Sequence, residues 1–155
     1  RAIAHETEDE HRDETLRVNL TGMHRTVTAA LPYMMEQESG AIVTLGSIAG
    51  QGAMAARAAY GPSKAGVIQY TRNLAVDYAK YHIRANCVCP GFVITDICRA
   101  WVEGLSKSER QAIEDKHPLG LGQPADIANA AWFLCGPDSR WITGVDLSVD
   151  GGYQA

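Results

Sequence analysis

Hydrophobic residues recur every three or four positions along the first part of the chain. The apolar positions that follow residue 15 are spaced by 4, 3, 4, 3 and 4 residues: Leu16, Leu20, Met23, Val27, Ala30 and Met34. This spacing predicts an amphipathic helix that runs to about Gly40 and bends at Pro32, which lacks a backbone N–H donor. The sequence Thr7-Glu8-Asp9-Glu10 is typical of a capping box, so we expect Thr7 to cap this helix and Glu10 to reach back to it.

Three short apolar runs predict buried strands. They are rich in apolar and β-branched side chains, and they occupy residues 41–46, 83–91 and 144–149. Helical patterns lie before and between them, so we expect the strands to pair in parallel through right-handed crossovers. The predicted fold class is α/β, with a doubly wound parallel sheet of the Rossmann type.

Further helices are predicted between the strands. A second long helix should begin near Tyr60 and end near Tyr81, because a proline in its first turn suits a helix start. A polar helical region should follow over about residues 95–116, and a last helix over residues 124–135. The glycine-rich residues 46–56 are expected to form a loop.

Composition narrows the classes of function. The chain has 155 residues, of which 46% are hydrophobic, and a net charge of −4, which predicts one folded domain. The basic residues are dispersed, which argues against a nucleic-acid partner. The longest uncharged stretch, Ser39–Ala56, holds four glycines and is a poor membrane span, so we expect no membrane partner. The charged first fourteen residues predict no signal peptide.

The cysteines indicate a reducing compartment. Cys87, Cys89, Cys98 and Cys135 show no C-x-x-C spacing, and the five histidines are scattered. The pattern favours mostly buried, reduced thiols in a cytoplasmic protein over a disulfide framework or a zinc site. We therefore expect no metal ligands among these residues.

Candidate chemistry follows the predicted strands. Ligands of parallel α/β sheets bind beyond the carboxyl ends of the strands, where this chain has Ser47 and Pro90-Gly91. Tyr60 begins the helix that leaves the first loop, and Lys64 lies about one turn later, so both side chains share one helix face. An ammonium beside a phenol favours the phenolate, which makes the tyrosine usable as an acid and base.

Each candidate also has an ordinary structural explanation. Asn19 stands at the edge of the buried stripe of the first helix, where its amide needs a partner, and backbone or water would serve. Ser47 alone fits a loop serine, and Pro90-Gly91 alone fits a turn that ends a strand. The residues point to chemistry only when they are taken together.

Taken together, these residues resemble a known family. The segments VNLTG (18–22), GSIAG (46–50), Tyr60-x-x-x-Lys64 and PGFVITD (90–96) resemble the classical short-chain dehydrogenase/reductase family in order and spacing. Ser47 precedes Tyr60 by 13 residues, as in that family, and the C-terminal DGG matches too, so the resemblance covers nearly the whole chain. It implies hydride transfer between NAD or NADP and a carbonyl/alcohol pair.

The resemblance implies a role for each of four residues. Tyr60 would donate the proton in reduction and accept it in oxidation. Lys64 would favour ionisation of Tyr60 and would also bind the nicotinamide ribose. Ser47 would hold the substrate oxygen, and Asn19 would hold a water that connects Lys64 to solvent.

The resemblance also implies cofactor contacts after the second strand. Pro90 and Gly91 would let the backbone approach the nicotinamide. The backbone of Val93 would pair with the carboxamide, and the hydroxyl of Thr95 would reach the carboxamide or the pyrophosphate.

One part of the family pattern is missing. A complete member begins with a strand, a glycine-rich turn and a helix that hold the pyrophosphate, and this chain shows no such fingerprint. We therefore expect residues 1–155 to be part of one domain whose first βαβαβ half is absent, either from the protein or from this chain. NAD and NADP cannot be separated without that half. Two functions stay open: an oxidoreductase, and a non-catalytic fragment that acts as an oligomerising or nucleotide-binding module.

The remaining expectations concern partners. Ile97, Trp101, Val102 and Leu105 offer an apolar wall, which favours a small or medium apolar alcohol or ketone as substrate. Residues 97–122 combine charge with hinge glycines and are expected to close over it. Apolar residues on more than one face of the two long helices predict a homodimer or homotetramer.

Overall fold

The fold is built on one parallel sheet of three strands. The computed structural model describes residues 2–155, apart from the side chain of Ile97. The strands lie in the order β1-β2-β3: β1 is Gly40–Leu45, β2 is Ile83–Pro90 and β3 is Asp146–Val149. Both pairings are parallel, with Gly40 opposite Ile83 and Cys87 opposite Asp146. The predicted α/β class with parallel strands is confirmed.

Seven α-helices precede and connect the strands: α1 (Asp9–Leu16), α2 (Met23–Glu36), α3 (Ile48–Gln51), α4 (Tyr60–Asp77), α5 (Asp96–Glu103), α6 (Lys107–Glu114) and α7 (Pro124–Cys135), among the described residues. The bounds of α7 agree with the prediction, and α4 ends four residues early, in a 3₁₀ turn over Ala79–Tyr81. A π-helical segment, Arg17–Gly22, joins α1 to α2.

Two local predictions were wrong. Thr7 does not cap the first helix, because its hydroxyl donates to the carbonyl of Ile3 at 2.9 Å and closes the preceding turn. The helix instead begins at Asp9, after Glu8, so the predicted reach of Glu10 back to Thr7 does not form. The predicted loop 46–56 contains the short helix α3, because Ser47 caps it by accepting from the N–H of Ala49 at 3.1 Å.

The core lies between the sheet and the two long helices. One cluster of buried side chains joins α2, α4 and the amino-terminal halves of β1 and β2: Val27, Leu31, Ile42, Leu74, Ala75, Ile83 and Ala85. A second cluster continues it towards the carboxyl ends: Val67, Ile68, Cys87 and Cys89. Burying apolar area at about 25 cal/mol per Å² makes this layer the main source of stability.

The opposite face of the sheet carries α7. The guanidinium of Arg84, on β2, donates to the carbonyls of Leu134 at 2.8 Å and Gly136 at 3.1 Å. It thereby satisfies carbonyls at the end of α7 that have no partner within the helix. β1 forms one edge of the sheet, and Leu45 on it remains 54% exposed.

The thiols are all free, and two of the four are buried. Cys87 and Cys89 lie in the core, Cys98 is half-buried and Cys135 is exposed. In the part of the chain that the structure describes, no helix has both the length and the apolar character needed to cross a membrane.

Candidate active site

A cleft of about 1620 Å³ opens at the carboxyl ends of β1 and β2. It is bordered by the residues that follow each strand and by the start of α4, including Ser47, Tyr60, Gly91, Val93 and Trp101. Of the candidate residues, six line it: Ser47, Tyr60, Pro90, Gly91, Val93 and Thr95. Asn19 and Lys64 are not among the described residues that line it.

Tyr60 and Lys64 lie one turn apart at the start of α4. The Lys64 Nζ is 5.7 Å from the centroid of the Tyr60 ring, and Tyr60 is 37% exposed towards the cleft. The same Nζ donates to the carbonyl of Leu45 at 2.8 Å, which ties α4 to the end of β1. Burial lowers the pKa of Lys64 below its ordinary value, and the nearby thiols of Cys87 and Cys89 offset part of that shift.

Ser47 is held by its own loop. It is buried, and its Oγ accepts from the N–H of Ala49, so its hydroxyl proton remains to be donated to another group. The following Gly50 lies against α4: a Cβ there would stand 2.6 Å from the carbonyl carbon of Lys64. This close approach fixes the Ser47 loop against the helix that carries Tyr60 and Lys64.

Asn19 finds its partner on α4. Its Nδ2 donates to the Oγ of Ser63 at 3.0 Å, and that Oγ donates to the carbonyl of Tyr60 at 2.7 Å. Asn19 lies in the π-helical segment, a form that is rare and often marks functional sites. The partner is a side chain, whereas the sequence led us to expect backbone or water, and the water-holding role of Asn19 stays a prediction.

Ser63 is a site residue that the sequence analysis missed. It is fully buried, and its Oγ joins the carbonyl of Tyr60 to Asn19, which lies 44 residues earlier in the chain. A signal was present, because a serine three residues after Tyr60 can bond back to its carbonyl within a helix.

The loop after β2 forms another wall of the cleft. Gly91 allows it to pass the C-terminal segment, because a Cβ there would lie 2.7 Å from the Cα of Asp150. Val93 pairs with Gly122, through the N–H of Ile94 and the carbonyl of Gly122 at 2.9 Å. Thr95 caps α5 with Cys98, whose Sγ accepts from the Thr95 N–H at 3.1 Å.

The predicted apolar wall is present in part. Trp101 and Leu105 line the cleft, and the Trp101 ring packs on Phe92 with centroids 5.5 Å apart. Val102 is buried at 6% exposure, because α5 turns it inward. The side chain of Ile97 lies outside the described part of the chain. Phe92 was not predicted as part of this wall.

Comparisons with known proteins match this arrangement. A protein-family model described as Enoyl-(Acyl carrier protein) reductase matches residues 1–154. The chain is 37% identical to the 3-oxoacyl-[acyl-carrier-protein] reductase FabG of Vibrio harveyi over 145 residues, which are 93% of the chain and 58% of that protein. It is 40% identical to a protein of Xanthobacter autotrophicus named inactive 2-(S)-hydroxypropyl-CoM dehydrogenase 2 over 154 residues, covering 97% of the chain and 67% of that protein.

A solved structure has the same fold. The structure of ElxO with NADP bound superposes with a TM-score of 0.91 at 31% identity, over 99% of this chain and 62% of ElxO. The chain thus spans about 60% of the length of ElxO and FabG. With its motifs, its parallel sheet and the family match over residues 1–154, the chain belongs to the short-chain dehydrogenase/reductase family.

Proposed function

We propose that the protein is an NAD(P)-dependent oxidoreductase that transfers a hydride between a nicotinamide cofactor and a carbonyl/alcohol substrate. The observation that carries the proposal is that Ser47 and Tyr60 line one cleft beyond the carboxyl ends of β1 and β2, with the Lys64 ammonium 5.7 Å from the centroid of the Tyr60 ring. The core provides no reason for a phenol, an ammonium and a free hydroxyl proton to converge there. The family match supports the same reaction class.

The cleft suits a nicotinamide cofactor, NAD or NADP. The N–H groups of Phe92, Ile94 and Thr95 are all engaged, while the N–H of Val93 has no partner among the described residues. An unpaired peptide donor beside an apolar cleft fits the carboxamide of a nicotinamide. The apolar side chains of Pro90 and Val93 and the hydroxyl of Thr95 border the same region. NADP in the similar ElxO structure supports this assignment.

Residues of the chain itself carry out the other steps of the proposed reaction. When bound, the cofactor supplies or accepts the hydride. We assign Tyr60 to move the proton at the substrate oxygen, and Ser47 to donate its hydroxyl proton to that oxygen. Lys64 stabilises the phenolate by its positive charge and reaches the ribose, and Asn19 orders solvent near it. Ser63 holds Asn19 and the Tyr60 backbone together.

The proposed substrate is a small or medium apolar alcohol or ketone. Trp101, Leu105 and Phe92 give the cleft an apolar wall beside Tyr60. The reaction of FabG, as its name states, is on a 3-oxoacyl group, which is a ketone. A panel of alcohols and ketones, assayed with both cofactors, tests the proposal. Preference for strongly charged substrates would contradict it.

Tyr60→Phe is the decisive variant. It removes the hydroxyl that moves the proton but keeps the ring that packs in the cleft. We expect turnover in the full-length protein to fall by at least about a thousandfold, with cofactor affinity nearly unchanged. Tyr33→Phe, at an exposed tyrosine on α2, is the matched control. Turnover by Tyr60→Phe within tenfold of the parent would remove Tyr60 from the acid/base role.

One observation favours a second candidate, a non-catalytic module that oligomerises or binds a nucleotide. The relative that is 40% identical carries the word inactive in its name. This candidate predicts cofactor binding without turnover on any alcohol or ketone. The same substrate panel, with cofactor titration, separates the two functions.

We further propose that residues 1–155 are part of a single domain and that the protein is a cytoplasmic homodimer or homotetramer. Val76 on α4 is 78% exposed, and a helix-to-helix subunit contact would cover it. The free, exposed Cys135 suits a reducing compartment. A monomer in light scattering at micromolar concentration would contradict the oligomer.

A further inference from the structure

His117 is the one buried histidine among the described residues. It follows α6 by three positions and is 4% exposed, whereas the other four histidines are exposed. It borders the cleft, and its ring packs on Tyr153 with centroids 5.0 Å apart. The proposed proton transfer does not use it, so its burial needs another explanation.

Each ring nitrogen of His117 has a partner that can act in only one way, either as a hydrogen-bond donor or as an acceptor. The N–H of Phe92 donates to Nε2 at 3.1 Å, and Nδ1 lies 2.8 Å from the carbonyl oxygen of Ile113. A peptide N–H can only donate and a carbonyl can only accept. The two contacts together therefore require a neutral ring with its proton on Nδ1.

These contacts join segments that are distant in the chain. Phe92 belongs to the loop after β2, while Ile113 belongs to α6. The same stretch is tied to the C-terminus, because the N–H of Leu119 donates to the carbonyl of Gly151 at 3.0 Å. His117 thus lies where the loop after β2, the segment 107–122 and the C-terminal turn meet.

We propose that His117 is a positioning residue that holds the Phe92–Thr95 backbone in place by accepting from the Phe92 N–H. The significance of this position rests on the proposed function, in which the neighbouring Val93 N–H receives the nicotinamide carboxamide. The bond fixes the peptide next to that donor. It also couples the segment 107–122 to the loop, so cofactor binding and closure of the segment support each other.

The test compares three variants of the full-length protein. His117→Leu keeps bulk but removes the acceptor. His117→Gln offers an amide oxygen to Phe92 and an amide N–H to Ile113, and is the rescue variant. His5→Gln, at an exposed histidine, is the matched control. The measurements are peptide-resolved hydrogen exchange, with and without cofactor, and cofactor affinity by fluorescence titration.

In His117→Leu, we expect hydrogen exchange over residues 92–95 to become about tenfold faster while exchange in β2 is unchanged. Cofactor affinity should fall about tenfold, the loss typical of one hydrogen bond. Cofactor should slow exchange over residues 113–120 in the parent but not in His117→Leu. His117→Gln should stay within about threefold of the parent in affinity.

Three results would overturn the proposal. The first is unchanged exchange over residues 92–95 in His117→Leu. The second is an equal rise of exchange in β2, which would indicate a purely structural role, and the third is a His117→Gln variant as defective as His117→Leu. The exchange measurement without cofactor is independent of activity. If it gives the expected result while the parent binds neither NAD nor NADP, the proposed function fails and the positioning contact stands.

Discussion

The two faces of the edge strand β1 are filled to very different degrees. On the face towards α2 and α4, Ile42 and Thr44 of β1 are buried, and Ala85 and Cys87 of β2 are fully so. On the opposite face, Asn86 and Val88 of β2 are fully buried, but Leu45 of β1 is more than half exposed. Because successive residues of a strand point to opposite faces, one short strand carries both environments.

This difference explains how the candidate site is built. Ser47, Tyr60 and Lys64 all come from elements anchored on the filled face, where Gly50 packs against the α4 backbone and Lys64 bonds to the end of β1. The cleft itself opens towards the less filled face. A close-packed layer therefore holds the candidate catalytic groups, while the open side leaves room for ligands.

The largest effect is expected from a single methyl group on the filled face. In Gly50→Ala, the new Cβ would meet the Lys64 carbonyl carbon at 2.6 Å and the Ala65 nitrogen at 2.7 Å, which are backbone atoms that cannot rotate away. We expect a loss of at least about 3 kcal/mol in the free energy of unfolding, measured by urea denaturation. Gly104→Ala, whose Cβ would have an ordinary 3.5 Å contact with Ala100, is the control. Equal stability of the two variants would mean that α3 does not pack as described.

Substitution of two leucines tests the difference between the two faces directly. Leu74 on α4 is 3% exposed and Leu45 on β1 is 54% exposed. In the 155-residue chain, Leu74→Ala should cost about 3 kcal/mol of unfolding free energy, since it leaves a cavity, and Leu45→Ala less than about 1 kcal/mol. A cost for Leu45→Ala that rises in a longer form of the protein would show that further chain covers this face. Similar costs for both variants in the 155-residue chain would remove the distinction between the faces.

The smallest effect concerns a carboxylate at the start of β3. Burial raises the pKa of Asp146, but hydrogen bonds from Gln51 at 3.0 Å and Arg72 at 2.6 Å outweigh it and leave the pKa below its ordinary value. A lowered pKa means that the carboxylate stabilises the fold above about pH 4, the unfolded value, and that this contribution is lost as the pH falls through the folded value.

Asp146→Asn should therefore reduce the loss of stability as the pH falls below about 4, relative to the parent. At pH 7 the variant should cost less than about 1 kcal/mol, because Arg72 is half exposed and solvent screens the pair. Urea denaturation across this pH range measures both effects, and Asp138→Asn at an exposed 3₁₀ turn is the control. An unchanged pH profile in Asp146→Asn would show that this pairing does not stabilise the fold.

Periodicity alone determined most of the elements. The apolar runs located all three strands, the helix over residues 124–135 was predicted to the residue, and the one-turn spacing placed Tyr60 and Lys64 on one helix face. These predictions succeed because the helix and strand periods are set by the local backbone conformation of each element.

Only the tertiary structure decided which distant groups meet. Asn19 pairs with Ser63 across 44 residues, and His117 accepts from Phe92 across 25. Thr7 shows the same limit locally, since its hydroxyl donates to the carbonyl of Ile3 in the preceding turn and does not cap the helix that follows. A sequence states which polar groups need partners. Which partner each one finds depends on the packing that brings separate segments within hydrogen-bond distance.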